Sequence, residues 1–167
     1  MSSPEHKQLI WNLIKEVKVG MLITEDNDTK ASLHGRPMSL VQDAYDGTLF
    51  FYTHKDAGKV YEVANEKKEV CITFADPSDQ VYVSLSGHAK ITHDQKLIDK
   101  YWSAGVSAWF PEGKEGGNVA MLEVKIYKGE HWNTDENKLI QLFEFTKAQI
   151  NDETPEIGEH EKFDATK

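Results

Sequence analysis

The run from 81 to 92, VYVSLSGHAKIT, limits the fold of this chain more than any other stretch. Val81, Val83, Leu85, Ala89 and Ile91 alternate with Tyr82, Ser84, Ser86, His88 and Lys90. A period of two is that of a strand whose odd positions face a core and whose even positions face away from it. Gly87 interrupts the apolar row, and a glycine there marks a bend, a bulge or the close approach of another group to the backbone. Segments 19–24, 31–41, 48–53, 70–75 and 118–128 also read as strands, giving six in all, enough to close a small barrel. Between them DNDT, Asp46-Gly47 and Pro77-Ser78-Asp79 are turn chemistry, so antiparallel hairpins and meanders are expected. No helix alternates regularly with the strands, which disfavours a doubly wound parallel sheet.

Helices that plug or flank the barrel are also expected. Ser2-x-x-Glu5 with Pro4 is a helix start, and Leu9, Ile10, Leu13, Ile14 and Val17 follow at helical spacing. Further helices are predicted over 57–65, over 94–103 with Leu97, Ile98, Tyr101 and Trp102 on one face, and over 135–149 after Thr134. From Asn151 onward six of seventeen residues are acidic and only Ile157 and Phe163 are large and apolar, so this end reads as a loosely held tail. The expected organisation is one domain over 1–150 and an acidic C-terminal tail over 151–167, within a length that buries about 70% of its unfolded surface.

Charge and motifs exclude several function classes. A net charge of −9 repels a phosphate backbone, and no basic patch offsets it, so nucleic acid is not an expected partner. The longest apolar runs, such as VGMLI at 19–23, fall far short of the roughly 20 residues of a membrane span. The single cysteine, Cys71, lies in the apolar run VCITF and reads as a small hydrophobe; with no signal peptide, a reducing cytoplasm is the expected location. Seven histidines are scattered without metal-ligand spacing, so no metal site is expected. Neither GxxxxGK[ST] nor GxGxxG occurs, and Ser84 and Ser86 in SLSG lack the GxSxG elbow of a hydrolase.

Arg36 stands out because it is the only arginine beside eighteen lysines, and it precedes Pro37. A residue before proline is pushed toward extended backbone, and proline cannot donate to a ladder, so this strand must lack one neighbour near Pro37. The Met38 N–H is then expected to be available to something other than a strand. Alternation sets Arg36 and Met38 on one face, a rigid fork of donors beside a polarizable side chain. That pair suits a flat heteroaromatic ring with polar edges, and equally the arginine could be a surface partner for one of many carboxylates.

Taken in order, GRPMSL (35–40), DGTLFFYT (46–53), GKVYEV (58–63), VCITFADPSDQVYVSLSGHAKI (70–91), YWSAGVSAWFPEG (101–113) and EHWN (130–133) resemble the general-stress-protein branch of the pyridoxamine 5′-phosphate oxidase-like family. These are FMN-binding split barrels, so the resemblance implies a mainly β (α+β) fold, a six-stranded antiparallel split β-barrel with flanking helices. It implies FMN as cofactor, with FAD as the alternative. Arg36, Pro37 and Met38 would lie along the isoalloxazine, with the Met38 amide near its polar edge. Phe51, Tyr52 and Thr53 match the strand that borders the flavin, and Lys59 matches the basic residue that meets its phosphate. Trp109 and Trp132 match tryptophans that approach the flavin or the seam of a homodimer holding flavin at its interface.

The pattern also departs from the family. Gly58 replaces a serine often found before the phosphate-binding lysine, His131 stands where tyrosine is common, and Glu115, Gly116, Gly117 and Asn118 follow the aromatic loop where acids and proline are usual. With no second arginine, the substrate clamp of true pyridoxamine 5′-phosphate oxidases is not recognisable, and that activity is not expected. The implied function is a flavin-dependent oxidoreductase passing hydride or electrons to a small molecule; the alternative is a non-catalytic flavin store, sensor or interaction module. A split barrel holding haem or deazaflavin is a third reading. No catalytic residue is assigned; His34, Tyr52 and His131 are the candidate proton donors, each more simply structural.

Overall fold

A computed structural model describes residues 4–25, 32–55, 68–133 and 159–164 of the chain. The elements are α1 (Pro4–Ile14), β1 (Val19–Glu25), β2 (Leu33–Ser39), β3 (Thr48–His54), β4 (Lys68–Asp76), β5 (Val81–Thr92), α2 (Gln95–Tyr101), α3 (Ala104–Ser107), β6 (Val119–Asn133) and β7 (Glu159–Asp164). The predicted helices at 57–65 and 135–149 lie outside the described residues. All pairings are antiparallel, in the order β2-β1-β4-β5-β6-β3, and β7 pairs with β6 as well. No ladder joins β2 to β3 among the described residues, so the curled sheet stays open along one seam.

The alternation in β5 places Val83, Leu85, Gly87 and Ala89 inside, as its sequence requires. They meet Leu22, Val70, Ile72, Phe74, Leu49, Phe51, Leu122 and Val124 in one core, which Ile10 and Ile14 of α1 plug. Gly87 sits at a register shift opposite β6, and a Cβ there would lie 2.8 Å from the Lys125 carbonyl oxygen. The interruption in the apolar row is therefore both a bulge and a close backbone approach. A second cluster, Ile98, Phe110, Val119 and Met121, lies on the opposite face of β6 under α2 and α3. Both faces of β6 are covered where it begins, which is why VAML is a continuous apolar run.

Two features differ from the sequence reading. The last barrel strand runs to Asn133, and within the acidic tail residues 159–164 form a seventh strand against Lys128–Asn133. The tail carries little apolar area to signal this. Phe163 enters the core side, stacking on His6 at 5.8 Å, while Lys162 Nζ lies 3.4 Å from Glu130.

Candidate functional site

The open seam is bounded by β2 and β3, and the local chemistry of each fixes what it presents. Leu40 N–H donates to the Lys18 carbonyl at 2.7 Å, and the in-register pairs Met38–Gly20, Arg36–Leu22 and His34–Thr24 continue that ladder. Antiparallel alternation then turns the N–H groups of His34, Arg36 and Met38 toward β1. The expectation of an unclaimed Met38 amide is corrected accordingly. Pro37 faces the open edge, where its missing donor costs the ladder nothing, and the outward main-chain donors are those of Gly35 and Ser39.

The same register puts the side chains of His34, Arg36 and Met38 on the core face of the sheet, with buried Leu22 and Thr24. Arg36 is half-buried rather than extended into water, and Met38 packs against the core. The Arg36 Nη2 lies 3.0 Å from His34 Nδ1 and 3.5 Å from Thr24 Oγ1. A guanidinium only donates, so Nδ1 of His34 accepts and the ring proton of that arrangement sits on Nε2.

On β3, Lys55 N–H donates to the Asn118 carbonyl at 3.1 Å, so Phe51 and Thr53 face β6 through their backbones and Phe50, Tyr52 and His54 face the seam. Gln42, buried in the connection between β2 and β3, closes part of that edge. Its Nε2 donates to the Ala44 and Thr48 carbonyls at 2.9 Å each, and its Oε1 accepts from Phe50 N–H at 2.8 Å. The main-chain groups of Tyr52 and His54 lie beyond this clamp. No signal in the sequence singled out Gln42; a lone glutamine in a connection has no pattern to read.

The remaining residues fall in different places. The Phe51 side chain is wholly inside the core, so it backs the strand. The Tyr52 hydroxyl donates to the Ile98 carbonyl at 2.6 Å, and burial, followed by Asp99 and Tyr101, pushes its pKa up to about 12. His131 is buried with its Nδ1 3.0 Å from Asn133 Oδ1. All three candidate proton donors are thus engaged in structural bonds. Trp109 is 76% exposed, whereas the adjacent Phe110 is buried in the second cluster. Trp132 is 38% exposed on the face away from the core, opposite Tyr82 and stacked on His160 at 4.8 Å. Lys59 lies outside the described residues.

Among the described residues no helix is long and apolar enough to cross a membrane, and no three His, Cys, Asp or Glu side chains gather into a metal cage.

Comparison with known proteins agrees with this architecture. A candidate general stress protein 26 from Jannaschia sp. CCS1 superposes with a TM-score of 0.74 at 27% identity, over 98% of this chain and 99% of that one. The general stress FMN/FAD binding protein of Xanthomonas citri superposes with a TM-score of 0.68 at 24% identity, over 81% of this chain and 93% of that one. In sequence, protein bli-3 of Neurospora crassa is 28% identical over 118 residues, 65% of this chain, and the match spans 56% of that protein's length. The model of the family described as "Pyridoxamine 5'-phosphate oxidase like" matches residues 5–156, so the chain belongs to the pyridoxamine 5′-phosphate oxidase-like family of split-barrel proteins.

Proposed function

We propose that the protein binds a flavin, FMN or alternatively FAD, and passes hydride or electrons through it to a small molecule, as a homodimer with the flavin at its interface. The observation that carries this reading is the half-buried Arg36 guanidinium, set beside Met38 on the core face of an edge strand whose neighbour across the seam is missing. Outward donors at Gly35, Ser39, Tyr52 and His54 suit the polar edge of a planar ring, and Met38 suits its face. A flavin supplies reversible hydride and one-electron chemistry when bound. Arg36 would provide a fixed cation favouring negative charge on the reduced ring, Pro37 would hold that strand extended, and Tyr52 and Thr53 would border the ring with Phe51 behind them. Lys59 would hold the phosphate. Trp109 and Trp132 would close over the site or the dimer seam; Val19, Met21 and Leu33, apolar and exposed in the single chain, favour a partner subunit.

A specific observation favours a second reading, a flavin store or sensor without turnover. His34, Tyr52 and His131 are each held in the bonds described above, leaving none of them evidently poised to give a proton. Reconstitution with FMN or FAD, followed by anaerobic mixing with NADH or NADPH, separates the readings. The oxidoreductase requires flavin bleaching faster than the free-flavin control. Bleaching at the control rate leaves the store, and no flavin retention removes both.

A further inference from the structure

His34 and Arg36 are two positions apart on β2 and so share the core face, and Thr24 of β1 stands directly opposite His34. The Arg36 Nη2 reaches both of them, 3.0 Å from His34 Nδ1 and 3.5 Å from Thr24 Oγ1. The first distance is that of a full hydrogen bond and the second that of a weak one, so His34 is the stronger of these two holds. Thr24 is buried behind the fork, whereas His34 is exposed and Arg36 half-buried.

An arginine does not surrender a proton, so His34 can hold it only as a neutral imidazole with Nδ1 bare. A carboxylate in that place would hold the fork as well, but it would cancel much of the charge. A neutral imidazole holds it and leaves the charge in place. The bond also removes rotamers from a long side chain that would otherwise sample many positions. What the seam presents beside Met38 is thus a cation fixed in direction and not cancelled by the histidine that fixes it.

We propose that His34 is a positioning residue of the seam: it fixes the Arg36 fork beside Met38 and thereby sets how strongly that cation favours negative charge on a bound flavin. The second half of this rests on the flavin reading; the first half does not.

Arg36 is the only arginine of the chain, so its guanidinium nitrogens are identified in ¹⁵N spectra directly. Spectra of the full flavin-free chain are taken at alkaline pH for wild type, for His34→Leu, which removes the acceptor, and for His34→Asn, whose amide oxygen stands in for Nδ1. The wild-type His34 ring should show the Nε2–H tautomer. Rotation about the Arg36 Cζ–Nε bond should quicken about fivefold or more in His34→Leu, the loss expected for one hydrogen bond to a charged group, and return toward wild type in His34→Asn. An Nδ1–H tautomer, or equal rotation rates in wild type and His34→Leu, overturns the positioning role whether or not flavin binds. The same three proteins are then loaded with FMN and their midpoint potentials measured. His34→Leu should lose affinity for reduced relative to oxidised flavin by about fivefold or more, the low end of coupling between linked sites, and His34→Asn should recover it. A potential that stays put while the Arg36 rotation quickens overturns the tuning role. No flavin retention by wild type overturns the flavin reading and the tuning with it, while the rotation result still decides the positioning role.

Discussion

Gln42 should be a main determinant of the geometry of the open seam, and its removal tests that directly. Its side chain makes three bonds to main-chain groups of the connection and of β3, and it is only 8% exposed. Gln42→Ala leaves the Phe50 N–H and the Thr48 and Ala44 carbonyls without that partner. A buried polar group that loses its partner costs about 1–3 kcal/mol. Because water can reach an open edge, the low end applies to each, giving about 3 kcal/mol in total. At about 2–4 °C per kcal/mol for a chain of this size, the melting midpoint should fall by about 6–12 °C.

Gln42→Glu separates hydrogen bonding from packing, since it keeps the shape and the acceptor for Phe50 but loses both donations at neutral pH. A carboxylate would then face two carbonyl oxygens, so the loss should match or exceed that of alanine. Below about pH 4 the protonated acid can donate to one carbonyl, and part of the loss should return. Calorimetry of the three proteins at both pH values provides the measurement. A fall of under about 1 kcal/mol for Gln42→Ala, with no pH dependence in Gln42→Glu, would refute the argument that these bonds hold the seam.

Three further outcomes are expected. Gly87→Ala drives a Cβ to 2.8 Å from the Lys125 carbonyl, a backbone atom that cannot swing away, and should lower stability by about 1–3 kcal/mol in urea unfolding; an unchanged midpoint would mean the bulge can relax. The Tyr127 hydroxyl, 2.7 Å from Glu69, is the largest influence holding that carboxyl below its ordinary range, with His88 at 2.7 Å adding to it. A depressed carboxylate contributes stability above its unfolded pKa and loses it as pH falls through the folded value, so Tyr127→Phe should raise the Glu69 pKa and weaken only the neutral-pH side. A ¹³C titration of Glu69 that is unmoved by the substitution would count against the bond. Under the proposed function, Arg36→Lys keeps the charge but loses the fork, and should shift the potential of bound flavin while leaving the melting midpoint nearly unchanged; an unaltered potential would reduce Arg36 to a local ion-pairing residue.

The strands were legible because one face of each is buried and period two follows from that. The points of failure have physical causes as well. In β6 the inward positions are Leu122, Val124 and Ile126, then Gly129, His131 and Asn133, because the register shift opposite Ser86 and Gly87 makes Tyr127 an extra residue. The parity of the pattern flips there, and Lys128-Gly129-Glu130 resembles a turn to any reading that assumes one phase. The strand at 159–164 was hidden because Phe163 is its one large apolar residue in sequence and His160 and Lys162 pair with Glu130, contacts that leave no period-two apolar pattern. At the seam, Arg36-Pro37 revealed the edge because proline states in sequence which side of a strand can do without a donor. The direction of the Met38 amide was not legible, since it depends on the parity set by the Leu40–Lys18 bond.

An open edge exposes main-chain donors and acceptors that invite pairing with another strand, and chains ordinarily blunt it with proline, charge or a cover. This seam has all three in partial form: Pro37 on β2, the Arg36 cation on the core side, and Gln42 laid along the first half of β3. Each device stops short of Tyr52 and His54. The half-buried Arg36 guanidinium at the same seam is held beside Leu22 and Met38 by its bonds to His34 and Thr24. On the proposed reading, the polar edge of a planar ring would cover what these devices leave open. Under the proposed function, FMN added to the flavin-free protein should slow exchange at the Tyr52 and His54 amides while leaving Phe50, already bonded to Gln42, as it was. Protection confined to Phe50, or spread evenly over β3, would separate the ligand from this edge.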